Sequence, residues 1–462
     1  MRRFRALTTA FVLAGALVQA LPAQAAAPPD IAERLKAIPG MTVEEKPSTL
    51  AGYRWFWLNY RQPVDHRHPE RAWFEQRIML EHKAEDLPMI LYTSGYNTPE
   101  YMFRSEPMTL TGGNQISVEY RYFTPSRPEP ADWKKDTIWQ AATDEHRLIK
   151  ALKTVYGAKW ISTGGSKGGM TATYHRRFYP GDVDGSVVYV APNDVVNKED
   201  SAYDRFLQRV GTDTSCRDHL RGLQKAFLEN RAPLEAKIKA AADADGQTFA
   251  QMRTVDIAFE NSVMDFEWAY WQYNLEADCA SLPDPATATV DELYDTIDAI
   301  VGALGYTDQS LAPYVPYYYQ AGTQLGWPAP KFRHLKGLLR HEETYVPRTY
   351  VPAEIPMRFE PLAMLDIDTW VKRHGSRLMF LYGGNDPWGA EPFRLGAGSR
   401  DSSVYTVAGM YHSGRLISLL PDAQRGKATA DLYRWAGVTA PPAQLKASLT
   451  DIDPLTQERP RL

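Results

Sequence analysis

Two stretches rich in aromatic and aliphatic residues, 53–58 and 73–80, flank the polar run Asp65-His66-Arg67-His68-Pro69. They predict the strands of an opening antiparallel ribbon. Two shorter apolar runs, 88–93 and 115–120, have the length of buried strands. From 138 to 156 the period changes: Ala142, Leu148, Ile149, Leu152 and Val155 recur at helical spacing, and a strand-like run at 160–163 follows. Strand, helix and strand in succession imply a parallel sheet. The rhythm returns at 185–191 and, far downstream, at 377–382 and 403–407. Between them, residues 197–360 are rich in Ala, Glu, Lys, Asp and Leu, with helical stretches at 220–242 and 290–304. The pattern predicts an α/β fold with a mostly parallel central sheet, its catalytic domain in two parts (26–196 and 361–462), interrupted by a helical cap at 197–360. In open α/β sheets the loops at the carboxyl ends of the strands form the ligand crevice, so a cap inserted there would roof it.

The first residues follow a different pattern. Arg2, Arg3 and Arg5 precede an apolar run at 6–21, then Pro22-Ala23-Gln24-Ala25. Basic, apolar and small-residue segments in that order read as a signal peptide over 1–25 and imply a secreted or periplasmic protein. No later stretch reaches about 18 uninterrupted apolar residues, so no membrane span is expected in the mature form. Without residues 1–25 the chain has 49 basic and 56 acidic residues, which argues against nucleic acid or an anionic membrane as partner. The segment after Pro441 reads as a loose surface tail. Only two cysteines occur, Cys216 and Cys279. In an exported chain they are expected to pair, and neither adjoins a histidine that would make it a nucleophile.

The chemistry is concentrated in Gly164-Gly165-Ser166-Lys167-Gly168-Gly169-Met170, which lies between a predicted strand and a predicted helix at 170–178. In a G-x-S-x-G turn the chain bends so sharply that residues two before and two after the serine must be small, and the hydroxyl is thrust out at the helix N-terminus. This is the nucleophile elbow of α/β-hydrolases. A phosphate loop is the other reading of strand, glycines and helix, but the Walker spacing is absent. A serine nucleophile needs a base oriented by a third group, and in this fold the order along the chain is serine, acid, histidine. Asp386 lies just past the strand at 377–382, and His412 past the strand at 403–407. Asp366 and Asp368 compete for the acid role but precede a helical stretch and read as caps. The oxyanion hole is expected to combine the backbone N–H of Lys167 with that of Gly95 or Tyr96. The Lys167 side chain is expected to be solvated or salt-bridged. Chemistry of this kind calls for no metal or cofactor.

The elbow with lysine after serine, together with Gln62-Pro63-Val64-Asp65-His66, Glu119-Tyr120-Arg121-Tyr122-Phe123, Asp386 and His412, resembles the secreted bacterial tripeptidyl aminopeptidases. These are serine peptidases similar to the lysosomal Pro-X carboxypeptidases and dipeptidyl peptidases. The resemblance spans most of the mature chain and implies Ser166, Asp386 and His412 as a triad. It also implies peptide substrates cut near free N-termini, often with proline. Phe266, Trp268, Tyr270, Trp271 and Tyr273 could wall a proline pocket or form the interior of the cap. A substrate ammonium calls for a buried carboxylate, with Glu267, Asp265 and Glu260 as candidates and Glu267 preferred. An esterase or lipase would use the same triad, although a lipase lid would be more apolar. A non-catalytic binding protein of this fold would have lost it.

Overall fold

The computed structural model describes residues 29–439. The proposed signal peptide and the tail after Pro441 lie outside the described residues. One sheet of nine strands organises the molecule: β1 (Met41–Lys46), β2 (Arg54–Pro63), β3 (Trp73–His82), β4 (Met89–Thr93), β5 (Asn114–Val118), β6 (Trp160–Gly165), β7 (Gly185–Tyr189), β8 (Leu378–Gly383) and β9 (Ser403–Val407). Their spatial order is β1-β2-β3-β5-β4-β6-β7-β8-β9. β1, β2 and β3 pair antiparallel, and β3 pairs antiparallel with β5. Every pairing from β5 through β9 is parallel. An antiparallel ribbon leading into a parallel sheet, with β5 lying outside β4, is the topology of an α/β-hydrolase.

Burial explains which strands were easy to recognise. β4, β6, β7 and β8 are buried along their whole length, as expected for parallel strands covered by helices on both faces. β2 instead buries Phe56, Leu58 and Tyr60 on one face. β1 lies at the sheet edge, and its run of Thr42, Glu44 and Glu45 is largely solvated, so it has no apolar pattern to announce it.

The helices are α1 (Ile31–Lys36), α2 (Glu106–Thr111), α3 (Ile138–Leu152), α4 (Lys167–Phe178), α5 (Ser201–Leu207), α6 (Ser215–Glu229) and α7 (Arg231–Ala244). They continue with α8 (Val255–Tyr273), α9 (Val290–Ile300), α10 (Asp308–Leu311), α11 (Val315–Gln320), α12 (Ala363–His374) and α13 (Asp422–Ala436). Helices α5 to α11 all fall between β7 and β8, with no strand in that interval among the described residues. The expected single helix over 220–242 is two helices meeting at Asn230. Pro233, in the first turn of α7, has no N–H to offer the Glu229 carbonyl, so the first helix cannot run on into the second. The helix expected over 290–304 stops at Ile300, and Gly302 adopts a left-handed φ of 86°. A disulfide joins Cys216 on α6 to Cys279, with Cα atoms 5.7 Å apart.

Candidate active site

Ser166 stands between β6 and α4 with φ 55° and ψ −130°. A non-glycine residue occupies such a conformation only where its surroundings enforce it. Here its N–H donates to the Tyr189 carbonyl (3.0 Å) and its carbonyl accepts from Met170 N–H (3.0 Å). The turn leaves no room at its glycines. A Cβ on Gly164 would lie 2.6 Å from both Gly168 C and the Thr93 carbonyl oxygen, and one on Gly95 would lie 2.5 Å from Gly168 N. The Thr93 hydroxyl lies 2.6 Å from the Gly168 carbonyl and 3.0 Å from that of Thr163, pinning the elbow to β4.

Two neighbours of the serine differ from the sequence reading. The Lys167 side chain is not solvated: the residue is 1% exposed. Its ammonium donates to the Gly95 carbonyl (2.6 Å) and sits 3.2 Å from the centre of the Tyr120 ring. Burial pulls it down to about 7, against the opposing fields of Asp136 and Glu145. Lys167 therefore clamps the loop after β4. Tyr96, on that loop, was expected to contribute its backbone N–H. That N–H faces the Ser94 hydroxyl (3.3 Å) instead, and it is the phenol of Tyr96 that shares hydrogen bonds with the Ser166 side chain and the Lys167 backbone N–H. Burial raises the phenol well above its ordinary range.

Asp386 and His412 come from loops beyond adjacent parallel strands, β8 and β9. The loops are tied together by Gly384 N–H to the Val407 carbonyl and Asn385 N–H to the Met410 carbonyl, each 2.8 Å. One Asp386 oxygen accepts from Trp388 N–H (3.0 Å) and the other lies 2.7 Å from His412 Nδ1. His412 is 2% exposed, and its Nε2 is buried with no hydrogen-bond partner among the described residues. Its N–H donates to the Gln272 carbonyl of α8 (3.0 Å), so the helical insertion touches the histidine loop directly. The competing acids lie inside α12 rather than capping it. Asp366 pairs with Arg177 (3.0 Å), and Asp368 pairs with Lys372 (2.7 Å) and accepts from Asn193 (3.0 Å).

A narrow cavity of about 20 Å³ lies at Ser166, with Tyr96, Met170, Tyr317, Leu325, Trp388 and Asp194 among its walls. None of the expected specificity residues lines it. Glu267 is buried against Arg221 (3.1 Å), its carboxyl pushed up to about 7 by that burial. Phe266 packs edge-on against Phe227 and Trp271 against Tyr270. Trp268 meets the wall residue Trp388 edge-on and packs tilted against Tyr203. Glu260 bonds to Arg231 and to the N–H groups of Arg340 and His341, and Asp265 accepts from the Tyr345 hydroxyl (3.2 Å). The reason is that α8 is buried on nearly all sides, so its aromatic residues fill the interior of the helical layer. Asp194, Trp388 and Tyr317 were missed. Asp194 had a usable signal, because it follows the predicted strand at 185–191 just as Asp386 follows the strand at 377–382.

The other motif residues are scaffold. Buried Arg121 bonds to both oxygens of Asp144 (2.6 and 2.9 Å), His66 lies 2.6 Å from the same carboxylate, and Glu119 pairs with Arg77 (2.6 Å). No cluster of metal-ligating side chains occurs among the described residues, and no described helix is long and apolar enough to cross a membrane.

The prolyl tri/tetrapeptidyl aminopeptidase of Streptomyces mobaraensis is 52% identical over 453 residues, covering 96% of this chain and 94% of that protein. Solved structures align more distantly. VinJ matches with a TM-score of 0.36 and 14% identity over 85% of this chain and 99% of its own. The proline iminopeptidase of Mycobacterium smegmatis matches with a TM-score of 0.33 and 11% identity over 86% of this chain and 99% of its own. Likeness at that level carries no functional argument. A family model, PS-10 peptidase S37, matches residues 24–462. The chain belongs to the PS-10 peptidase S37 family and is a serine peptidase.

Proposed function

We propose that the protein is an exported exopeptidase that releases tri- and tetrapeptides from free N-termini by cutting after proline, with Ser166 as nucleophile, His412 as base and Asp386 as its orienting acid. The observation that carries this reading is His412. Its Nδ1 is held 2.7 Å from the buried Asp386 carboxylate, which fixes the ring and leaves Nε2 as the nitrogen to take a serine proton. The relative named for prolyl tri- and tetrapeptides supports the substrate class. The aromatic and aliphatic side chains of Tyr96, Met170, Tyr317, Leu325 and Trp388 around Ser166 would be the ones to contact a pyrrolidine ring. The basic and apolar order of residues 1–25 supports export. Catalysis is assigned to residues 26–196 and 361–462, and the cap to 197–360.

In the proposed cycle His412 takes the Ser166 proton as Oγ attacks the scissile carbonyl, and the oxyanion is held by the Lys167 N–H and the Tyr96 hydroxyl. Collapse breaks the C–N bond, and His412 passes the proton to the leaving amine. Water then attacks the acyl-enzyme, giving a proton to His412, which returns it to Ser166 as the peptide acid departs. The test is hydrolysis of chromogenic tri- and tetrapeptides ending in proline, with free and acetylated N-termini. Cleavage of the free peptides is expected, and Ser166→Ala should lower kcat by about 10³-fold or more. Equal cleavage of acetylated peptides would exclude the aminopeptidase reading, and activity confined to simple esters would make the protein an esterase.

A further inference from the structure

An aminopeptidase must hold a charged N-terminus in place, and the carboxylates of α8 are already engaged inside the helical layer. Asp194 is in a different position. It lies on the segment just past β7 and lines the same cavity as Ser166. That segment is fastened to the chain beyond the Asp386 loop. Asn193 N–H donates to the Glu391 carbonyl (2.8 Å), Pro192 and Pro392 form an isolated antiparallel bridge, and the Asn193 amide donates to Asp368 (3.0 Å). The fastening brings the Asp194 and Glu391 side chains into one another's field.

Asp194 is 5% exposed, yet its Oδ2 has no hydrogen-bond partner among the described residues. A buried carboxylate oxygen without a donor is costly to keep. The nearest charged neighbours make the cost greater, because Glu391 and Asp200 are also acidic. Asp200 and Asp204 are each satisfied by a backbone N–H, from Ala329 (3.0 Å) and Lys331 (2.8 Å). Close by, the Tyr203 hydroxyl is buried and also lacks a partner. The pocket also accommodates Asp194 through Gly326, at φ 88°, where a Cβ would come within 2.5 Å of the Asp194 Cγ. The site thus offers the Asp194 carboxylate, with no cation among the charges acting on it, beside the Tyr203 hydroxyl and Glu391, whose own charge is met by Arg394 and Arg205. A primary ammonium brings three N–H donors and the missing positive charge.

We infer that Asp194, with Glu391 and the Tyr203 hydroxyl beside it, holds the N-terminal ammonium of the peptide substrate. This rests on the aminopeptidase reading above and adds the group that enforces it.

The deciding measurement is the ratio of kcat/KM for a tripeptide substrate ending in proline to that for its N-acetylated form, in wild type, Asp194→Asn and Glu391→Gln. Wild type should favour the free peptide, and Asp194→Asn should reduce the ratio by about 30-fold or more, mainly through KM. Glu391→Gln should reduce it less. A wild-type ratio retained in Asp194→Asn would overturn the anchor while leaving the aminopeptidase reading intact. A ratio near one in the wild type itself would remove both. Should Asp194→Asn fail to melt cooperatively, Glu391→Gln and Tyr203→Phe carry the same test, and unchanged ratios in both would overturn the inference.

Discussion

The hydroxyl of Tyr96 touches both Ser166 and the backbone N–H that follows it, so this residue brings a side-chain donor to the place where charge develops. In the proposed cycle the phenol stabilises the oxyanion more than the ground-state carbonyl. Tyr96→Phe should therefore lower kcat by about 10–10³-fold with little change in KM, as steady-state kinetics on a free tripeptide would show. An unchanged kcat would assign the oxyanion to backbone donors alone. At this scale the candidate site was unevenly legible. Ser166 could be read because its constraints are local: a turn this tight needs glycines at fixed offsets. Asp386 and His412 could be read because strand ends are visible in the pattern. Asp194 shares with Asp386 a place just past a predicted strand, but that position does not separate a binding carboxylate from a surface one, which its orphaned oxygen in the folded chain does. Lys167 was misread because nothing local shows that Gly95 and Tyr120 would enclose its ammonium.

Among the elements, the helical layer is where apolar pattern and position diverged. The aromatic residues of α8 suggested a pocket wall, yet the helix is packed by α6, α7 and α9. A helix buried all round has no face from which to read its neighbours. The strands were legible because parallel strands bury continuous apolar runs, whereas polar edge strand β1 and the short α1 and α2 left too little periodicity. The disulfide fixes this layer. Cys216 begins α6, and Cys279 lies in the turn Glu276–Ser281 after α8, 63 residues away in sequence. Closing a loop of that length stabilises by about 4 kcal/mol on the chain-entropy account. Replacing both cysteines with alanine should lower the melting temperature and make the chain between β7 and β8 the first target of limited proteolysis, with kcat at room temperature unchanged. An unchanged melt would mean that other contacts already close the loop.

For the whole molecule, buried carboxyls carry an electrostatic cost that should appear in the dependence of stability on pH. Burial pushes the carboxyls of Asp136, Asp194, Glu267 and Glu391 up to about 7. Each keeps a proton in the native state that the unfolded chain releases near its ordinary value. The stability this confers is complete below about pH 4 and is lost as pH rises through about 7. His334 and Lys167, lowered by burial to about 4 and about 7, slope the other way, so the informative quantity is a difference between two proteins. Around Asp194, Glu391 and Asp200 raise the carboxyl and the Trp327 backbone N–H lowers it, while Arg394 and Arg205 act on Glu391. Asp194→Asn removes the titrating group and keeps its shape. Its advantage in melting temperature over wild type should therefore be larger at pH 8 than at pH 5 by about 2–3 °C. A carboxylate that merely braced the fold would give the opposite sign, with the variant melting lower at both pH values. Adding a tripeptide with a free N-terminus should stabilise the wild type more at pH 7 than at pH 5, because Asp194 is then ionising while the peptide amine is still an ammonium. The acetylated tripeptide should show no such difference.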